Sequence, residues 1–133
     1  MKKILLTING KNNTLQGAEY IAKNYNPNEV EIEALAITED YFVYAMTEKD
    51  RKAIEKETLF LLNGTDNILK GYKVNKTAVV VKNAGEEIVN RAKQINASAI
   101  VMAKPNKNGV QALMGTPEQY VAINSDTLVY MVA

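Results

Sequence analysis

The sequence predicts an α/β protein built on an open, doubly wound, five-stranded parallel sheet with helices on both faces. Five short apolar segments alternate along the chain with segments whose apolar residues recur at helical spacing. The apolar segments are almost uninterrupted, which is typical of strands that are buried on both faces. Buried strands that alternate with amphipathic helices favour parallel strands joined by right-handed helical crossovers.

The first half of the chain supplies two strands and two helices. Residues 3–8 (KILLTI) and 30–37 (VEIEALAI) are the first two predicted strands. The helix between them has one apolar face, formed by Leu15, Ala18, Ile21 and Ala22. A longer helix begins after Thr47, which resembles the first residue of a capping box, and ends before Gly71. Gly64 lies within that helix and weakens its predicted continuity.

The second half of the chain completes the sheet. Residues 77–81 (TAVVV), 98–102 (SAIVM) and 127–132 (TLVYMV) are the remaining predicted strands. A helix between the first two of these carries Ile88, Val89, Ala92 and Ile95 on one face, and Asn96 is suited to a left-handed cap after it. A short helix over residues 117–123 precedes the last strand.

The composition predicts a single domain over residues 1–133 and makes an enzyme improbable. The chain has no Cys and no His, which removes thiol nucleophiles, imidazole acid–base chemistry and zinc sites built on sulfur or nitrogen ligands. The formal net charge is +1, so neither nucleic acid nor a membrane is an expected partner. The apolar run at the N-terminus is too short for a signal peptide, which predicts a cytoplasmic protein.

The expected place for a ligand is the carboxyl edge of the sheet, where the strand order reverses. Gly115 and Thr116 lie at this edge, directly before a predicted helix. Pro117 suits the first helical position, and Gln119 is placed to complete a capping box with Thr116. Such a helix N-terminus attracts anions. The alternative is that these residues only start the helix, since most helix N-termini bind nothing.

Three segments resemble the universal stress proteins, and together they extend over essentially the whole chain. KKILLTINGKNN is similar to the lysine-led first strand and turn of that family. AGEEIVNRAKQINASAIVMAK resembles its amphipathic helix and fourth strand. GTPEQYVAINSDTLVYMV resembles its closing Gly-Ser/Thr, short helix and last strand. The C-terminal half carries the more specific part of the resemblance.

The resemblance implies a small stress-response protein with a Rossmann-like fold, akin to the adenine nucleotide alpha hydrolases. Members are usually homodimers and often bind ATP through a glycine-containing loop after the fourth strand. If this chain retains such a site, the resemblance places the nucleotide against Thr7, Ile8, Asn9, Ile37, Met102, Ala103, Asn106, Gly115 and Thr116.

The chain departs from the ATP-binding pattern of the family at several positions. Ala103 and Asn106 replace two glycines, Asn9 replaces an aspartate, and only eight residues separate Asn106 from Gly115. A Cβ at position 103 hinders the close approach of backbone to phosphate. Pro105 has no N–H to donate to a phosphate. These departures favour a site that has lost its nucleotide.

Two functions therefore remain open. The favoured one is a stress protein that binds no ATP or other cofactor and acts through dimerisation and contacts with unidentified proteins. The alternative is a site that binds ATP, with Mg²⁺, or AMP through an altered phosphate loop at residues 103–116. Lys104 and Lys107 would attract phosphate to that loop. Weak nucleotide hydrolysis is the least favoured function.

The last predicted strand has no charged residue, proline or glycine to protect it as a sheet edge. The family resemblance implies that this strand pairs with the same strand of a second copy across a two-fold axis. The predicted dimer interface consists of Leu128, Val129, Tyr130 and Met131. The alternative is an interior strand that is already paired on both sides.

Three aromatic residues, Tyr41, Phe42 and Tyr44, follow the second strand. Such a cluster forms a recognition surface or packs over the edge of the core. We expect packing, because large aromatic side chains are usually buried.

Overall fold

The protein's structure, a computed structural model, describes residues 1–9, 15–104 and 115–132. In these ranges it has five strands and five α-helices, which are β1 (Lys2–Asn9), α1 (Gln16–Asn24), β2 (Val30–Glu39), α2 (Glu48–Leu59), α3 (Thr65–Ile68), β3 (Lys73–Val81), α4 (Ala84–Gln94), β4 (Ala99–Ala103), α5 (Pro117–Asn124) and β5 (Leu128–Val132). Short 3-10 turns at Val43–Ala45 and Phe60–Leu62 precede and follow α2.

The strands form one parallel sheet in the order β3-β2-β1-β4-β5, which confirms the predicted fold class. The chain moves outward from β1 to β3 and then crosses to β4 on the other side of β1. The strand order therefore reverses between β1 and β4. Thr7 of β1 lies opposite Met102 of β4 near the carboxyl ends of these two strands.

Each face of the sheet has its own apolar core. The core against α1 and α3 contains, among others, Ile4, Leu6, Ile8, Ala18, Ile21, Leu62, Leu69 and Val101. The core against α4 and α5 contains, among others, Leu5, Leu35, Ile37, Ile88, Ala92, Ile100, Met102 and Val121. Successive residues of a strand alternate between the two faces. The face of each site residue can therefore be read from its position in its strand.

The predicted long helix is divided into two helices. Thr47 caps α2 by accepting a hydrogen bond from the Asp50 N–H at 3.1 Å, as the sequence predicted. Helix α2 then ends at Leu59, and α3 begins after Gly64. A Cβ at position 64 would lie 2.4 Å from Leu15 Cδ1, so this glycine allows the chain to approach the start of α1. Within the described ranges, no helix has the length and apolar content needed to cross a bilayer.

Two further predictions differ from the structure. Ala22 is exposed, because the buried stripe of α1 is narrower than predicted and runs through Gly17, Ala18 and Ile21. Strand β3 begins at Lys73, four residues before the predicted start at Thr77. It is an edge strand, and Lys73, Asn75 and Lys76 at its start are polar and exposed. Asn96 has the expected left-handed backbone, with φ of 54°.

Candidate functional site at the carboxyl edge of the sheet

Helix α5 begins with a cap that its own side chains complete. Gly115 has φ of 71°, a left-handed conformation that favours glycine. Thr116 Oγ1 accepts a hydrogen bond from the Gln119 N–H at 3.2 Å, and Gln119 Oε1 accepts one from the Gly115 N–H at 2.8 Å. The predicted capping box is present in a shifted form. In a standard box the side chain of Gln119 would accept from the N–H of the N-cap residue Thr116, whereas here it accepts from the N–H of Gly115.

Helix α4 begins at the same edge of the sheet and is also capped internally. Asn83 is the N-cap residue, and its Oδ1 accepts a hydrogen bond from the Glu86 N–H at 3.0 Å. Glu39, the last residue of β2, accepts a second bond through Oε2 from the Ala84 N–H at 3.0 Å. A carboxylate from the sheet thus lies at the positive end of the α4 dipole.

The two helix starts border one cleft of about 290 Å³, which we call the edge cleft. Its lining residues are Glu39, Lys82, Asn83, Gly115, Thr116, Pro117, Gln119, Tyr120, Ile123 and Asn124. A nucleotide phosphate placed against the start of α5 would share this cleft with the carboxylate of Glu39.

Among the described residues that line the edge cleft, the charges around the start of α5 are balanced rather than strongly positive. Lys82 brings one ammonium group to the edge cleft, and Glu39 brings one carboxylate. Glu118, in the first turn of α5, is only 3% exposed. An acidic residue in the first turn of a helix offsets the positive end of the dipole, so the attraction of the helix for an external anion is reduced.

The structure divides the predicted nucleotide-binding residues between two faces. Thr7, Asn9, Ile37 and Met102 occupy strand positions that face α4 and α5, whereas Ile8 and Ala103 occupy positions that face α1. Gly115 and Thr116 line the edge cleft. Asn106 lies outside the described residues.

Three residues at this edge were not predicted, namely Glu39, Lys82 and Asn83. The sequence pattern ended the second strand at Ile37, because the next two residues are polar. The strand in fact continues to Glu39, on the same face as Leu35 and Ile37. If the predicted strand had been extended by two residues, the alternation of its side chains would have placed the Glu39 carboxylate at the carboxyl edge of the sheet.

The expected packing of the aromatic cluster is wrong. Tyr41, Phe42 and Tyr44 are 70%, 69% and 87% exposed, whereas Val43 is buried. Asp40 Oδ1 accepts a hydrogen bond from the Phe42 N–H at 2.9 Å, and the 3-10 turn that follows directs Val43 inward. Val43 is therefore the buried member of this segment, and the three rings remain exposed.

The exposed tyrosines border a second depression of about 510 Å³, which we call the aromatic groove. Its lining residues are Tyr41, Tyr44, Val81, Lys82, Asn83, Glu86, Glu87 and Asn90. Lys82 and Asn83 also line the edge cleft, so the two depressions are neighbours.

Strand β5 is the last strand of the sheet, and it pairs with β4. The alternative prediction of an interior strand is therefore wrong. Of the four predicted interface residues, Leu128 is 65% exposed, and Val129, Tyr130 and Met131 are half-buried. Tyr130 packs against Tyr20 of α1, with ring centroids 5.6 Å apart.

Tyr25, at the end of α1, belongs to the same group of tyrosines. Burial raises the pKa of Tyr25, and the neighbouring phenols of Tyr130 and Tyr20 raise it further. The Tyr72 hydroxyl donates a hydrogen bond to the Tyr25 carbonyl oxygen. This cluster packs β5 against α1.

Comparison with known proteins relates the whole chain to one family. The sequence matches the profile of the universal stress protein family over residues 1–133. No curated protein matches the sequence.

Solved structures of that family have the same fold. A protein of the family from Burkholderia pseudomallei has a TM-score of 0.71 and 15% identity, covering 98% of this chain and 95% of its own. The universal stress protein from Archaeoglobus fulgidus in complex with dAMP has a TM-score of 0.69 and 15% identity, and the match covers 100% of this chain and 98% of that protein. A universal stress protein in complex with cAMP has a TM-score of 0.67 and 17% identity, and the match covers 98% of this chain and 95% of that protein.

Proposed function

The chain belongs to the universal stress protein family, and from that premise we propose that it acts through protein contacts, without bound ATP, as a cytoplasmic homodimer. No catalytic step is part of this function. The proposed role is that of a stress-response protein whose edge cleft no longer serves as a triphosphate site.

The observation that carries this proposal is that side chains of the protein itself already cap the two helix N-termini at the edge cleft. The Gly115 N–H donates to Gln119 Oε1, and the Ala84 N–H donates to Glu39 Oε2. A phosphate that used these amides would have to displace both side chains. Displacing Glu39 would also leave its carboxylate beside the phosphate, where the two like charges repel each other.

A binding experiment with nucleotides tests the proposal. The protein is titrated with ATP and Mg²⁺, with ADP and with AMP, by calorimetry and by thermal unfolding. A ligand at one hundred times its Kd stabilises the folded state by about 2.7 kcal/mol. We expect no binding and no increase in Tm with millimolar ATP. A Kd in the micromolar range for ATP would contradict the proposal.

A second candidate function is the binding of a nucleoside monophosphate in the edge cleft. It is supported by Lys82, which supplies an ammonium group to the cleft, and by the two similar proteins in complex with dAMP and cAMP. A single phosphate places less negative charge beside Glu39 than a triphosphate does. Binding of AMP but not of ATP would favour this candidate, and Lys82→Gln would then weaken AMP binding.

The proposed dimer forms through β5. This strand is a sheet edge without charge or proline, and its first residue, Leu128, exposes an apolar side chain. Such an edge favours pairing with another strand, and a second copy of the chain offers an identical one. Sedimentation at micromolar concentration is expected to give twice the chain mass. A monomer at that concentration would contradict the dimer.

A further inference from the structure

The two walls of the aromatic groove differ in chemistry. Tyr41 and Tyr44 form one wall and expose 70% and 87% of their surface. The other wall is one side of α4, and its residues are Asn83, Glu86, Glu87 and Asn90. These positions are separated by three, four and seven residues from Asn83, so they project from the same side of the helix.

The α4 wall is rich in hydrogen-bond acceptors. Glu86 is exposed and forms no ion pair with any residue that the structure describes. Glu87 already pairs with Arg91, with Glu87 Oε1 and Arg91 Nη2 3.2 Å apart. Asn90 adds a carboxamide oxygen. Glu86 is therefore the carboxylate on this wall that is available to an incoming cation.

The tyrosine wall already attracts a cation of the protein itself. Lys82 Nζ lies 4.7 Å from the centroid of the Tyr41 ring, within the range of a cation–π interaction. Tyr44 offers a second, more exposed ring without such a partner among the described residues. Because Glu87 is paired with Arg91, the carboxylate in the lining that has no ion pair among the described residues is Glu86, and the features that attract a cation are this carboxylate and the exposed Tyr44 ring.

We propose that the aromatic groove binds an arginine side chain of a partner protein. A guanidinium group is planar and stacks on an aromatic ring, while its edge donates paired hydrogen bonds to a carboxylate. The lining of the groove contains both features, an exposed ring at Tyr44 and an exposed carboxylate at Glu86. A lysine ammonium can use either feature, but it lacks the planar shape that uses both at once.

This inference rests on the proposed function, because it identifies the kind of protein segment through which the chain would make its contacts. The groove also has room for more than one side chain, with a volume of about 510 Å³. Phe42 is 69% exposed and packs edge-on against Tyr41, with ring centroids 5.4 Å apart, so it adds exposed apolar surface beside the groove. The partner is a segment in which arginine has small neighbours that let it enter the groove.

Peptide titration followed by amide NMR tests the inference on the full chain. The probes are three capped heptapeptides in which glycine alternates with arginine, with lysine or with citrulline, the uncharged counterpart of arginine. We expect the arginine peptide to shift the amide signals of Tyr44, Glu86 and Asn90. We also expect its Kd to be at least five times lower than that of the lysine peptide, and no saturable shift with citrulline.

Two variants and two matched controls locate the site. Tyr44→Ala and Glu86→Gln are each expected to raise the Kd of the arginine peptide at least fivefold. Both residues are exposed, so neither change disturbs the core. Phe60→Ala and Glu57→Gln remove an exposed ring and an exposed carboxylate outside the groove, and they are expected to leave the Kd unchanged.

The inference is overturned if citrulline binds as well as arginine, or if both groove variants bind like the wild-type protein. It is also overturned if AMP, and not the peptide, produces the shifts at Tyr44 and Glu86. Its failure can be told apart from failure of the proposed function. ATP binding, which would contradict the proposed function, would shift the amide signals around Gly115 and Thr116 in the edge cleft. Peptide binding is followed at Tyr44 and Glu86 in the aromatic groove, so the two results are read from different signals.

Discussion

At the scale of single residues, Gln119 both stabilises the start of α5 and occupies one of its backbone donors. Its side-chain oxygen holds the Gly115 N–H, and its own N–H bonds Thr116. A side chain that completes a helix cap in this way stabilises the helix start. It also occupies a backbone donor that a phosphate would otherwise use. The same hydrogen bond thus supports the fold and makes the edge cleft less suitable for phosphate.

Gln119→Ala is expected to lower the free energy of unfolding by about 1 kcal/mol, because the Gly115 N–H loses its acceptor. Urea denaturation measures the change. Gln119→Glu keeps an acceptor at the same place and should remain close to the wild type. Gln94→Ala, at an exposed position late in α4, is the matched control. Equal stability of all four proteins would show that the cap contributes nothing.

Tyr25 predicts how stability depends on alkaline pH. Burial, with Tyr130 and Tyr20, raises the pKa of Tyr25 in the folded protein above the 10.0 of an unperturbed phenol. Above pH 10 the unfolded chain therefore loses this proton before the folded protein does. The contribution of Tyr25 to the free energy of unfolding is fully present below about pH 10, and it decreases as pH rises through the pKa of Tyr25 in the folded protein.

The measurement is the free energy of unfolding in urea at several values between about pH 8.5 and 11.5, around the phenol pKa. We expect the wild-type protein to lose stability more steeply above pH 10 than Tyr25→Phe, which cannot ionise there. The two proteins share all other titrating groups, so the difference between their curves isolates Tyr25. Parallel curves would contradict the assignment.

At the scale of the secondary-structure elements, the packing of α4 against α5 depends on a glycine. A Cβ at Gly85 would lie 2.7 Å from Tyr120 Cβ and 2.9 Å from Tyr120 Cδ1. The first of these atoms is fixed to the α5 backbone, so rotation of the tyrosine side chain cannot relieve the contact. Tyr120 also lines the edge cleft, so this contact lies beside the cleft.

Gly85→Ala is expected to lower the free energy of unfolding by about 1–2 kcal/mol. The steric conflict costs about 1–3 kcal/mol and exceeds the gain of up to about 1 kcal/mol from replacing a helical glycine. The control is Lys93→Ala, at an exposed position of the same helix. Tyr120→Ala should cancel much of the loss in the double variant, and strict additivity of the two changes would contradict the proposed contact.

The elements also show which features the sequence could predict. All five strands were predictable because each contains an apolar run, and the run is uninterrupted in an inner strand that is buried on both faces, such as residues 99–103. Gly64 only suggested the break between α2 and α3, and its close approach to Leu15, 49 positions earlier in the chain, was not visible in the sequence pattern. Contacts between distant residues leave no periodic pattern in the sequence.

The candidate site was predictable in part for the same reason. The cap at Gly115, Thr116 and Gln119 is local, and the sequence pattern identified its members. The bond from the Ala84 N–H to Glu39 joins residues 45 positions apart, so it could be found only after the sheet was known. The exposure of Tyr44 was mispredicted because composition favours burial of aromatic rings, whereas the local turn directs Val43 inward.

At the scale of the whole molecule, the two edges of the sheet are unequal. Strand β5 ends the sheet on one side without a charged residue, whereas β3 on the other side carries Lys73 and Lys76. Lys73 pairs with Glu31 at 3.2 Å, and Lys76 pairs with Asp66 at 2.9 Å. Lysines are a common protection of an exposed sheet edge.

Leu128→Lys tests the β5 interface of the proposed dimer. Leu128 is 65% exposed, so the change should leave the fold intact, but it places a lysine charge in the otherwise uncharged edge strand of each copy. We expect the dissociation constant of the dimer to rise at least tenfold in sedimentation equilibrium. Phe60→Lys, at a 61% exposed position outside β5, should leave the constant unchanged. A dimer that tolerates Leu128→Lys must use another surface.

The difference between the two edges limits how far copies of the chain can join. Two β5 strands related by a two-fold axis run antiparallel and satisfy each other's outer backbone groups. The joined sheet then ends at β3 on both sides, where Lys73 and Lys76 oppose the addition of another strand. Assembly through sheet edges would therefore stop at two copies, so the chain could keep one reactive edge without forming fibres.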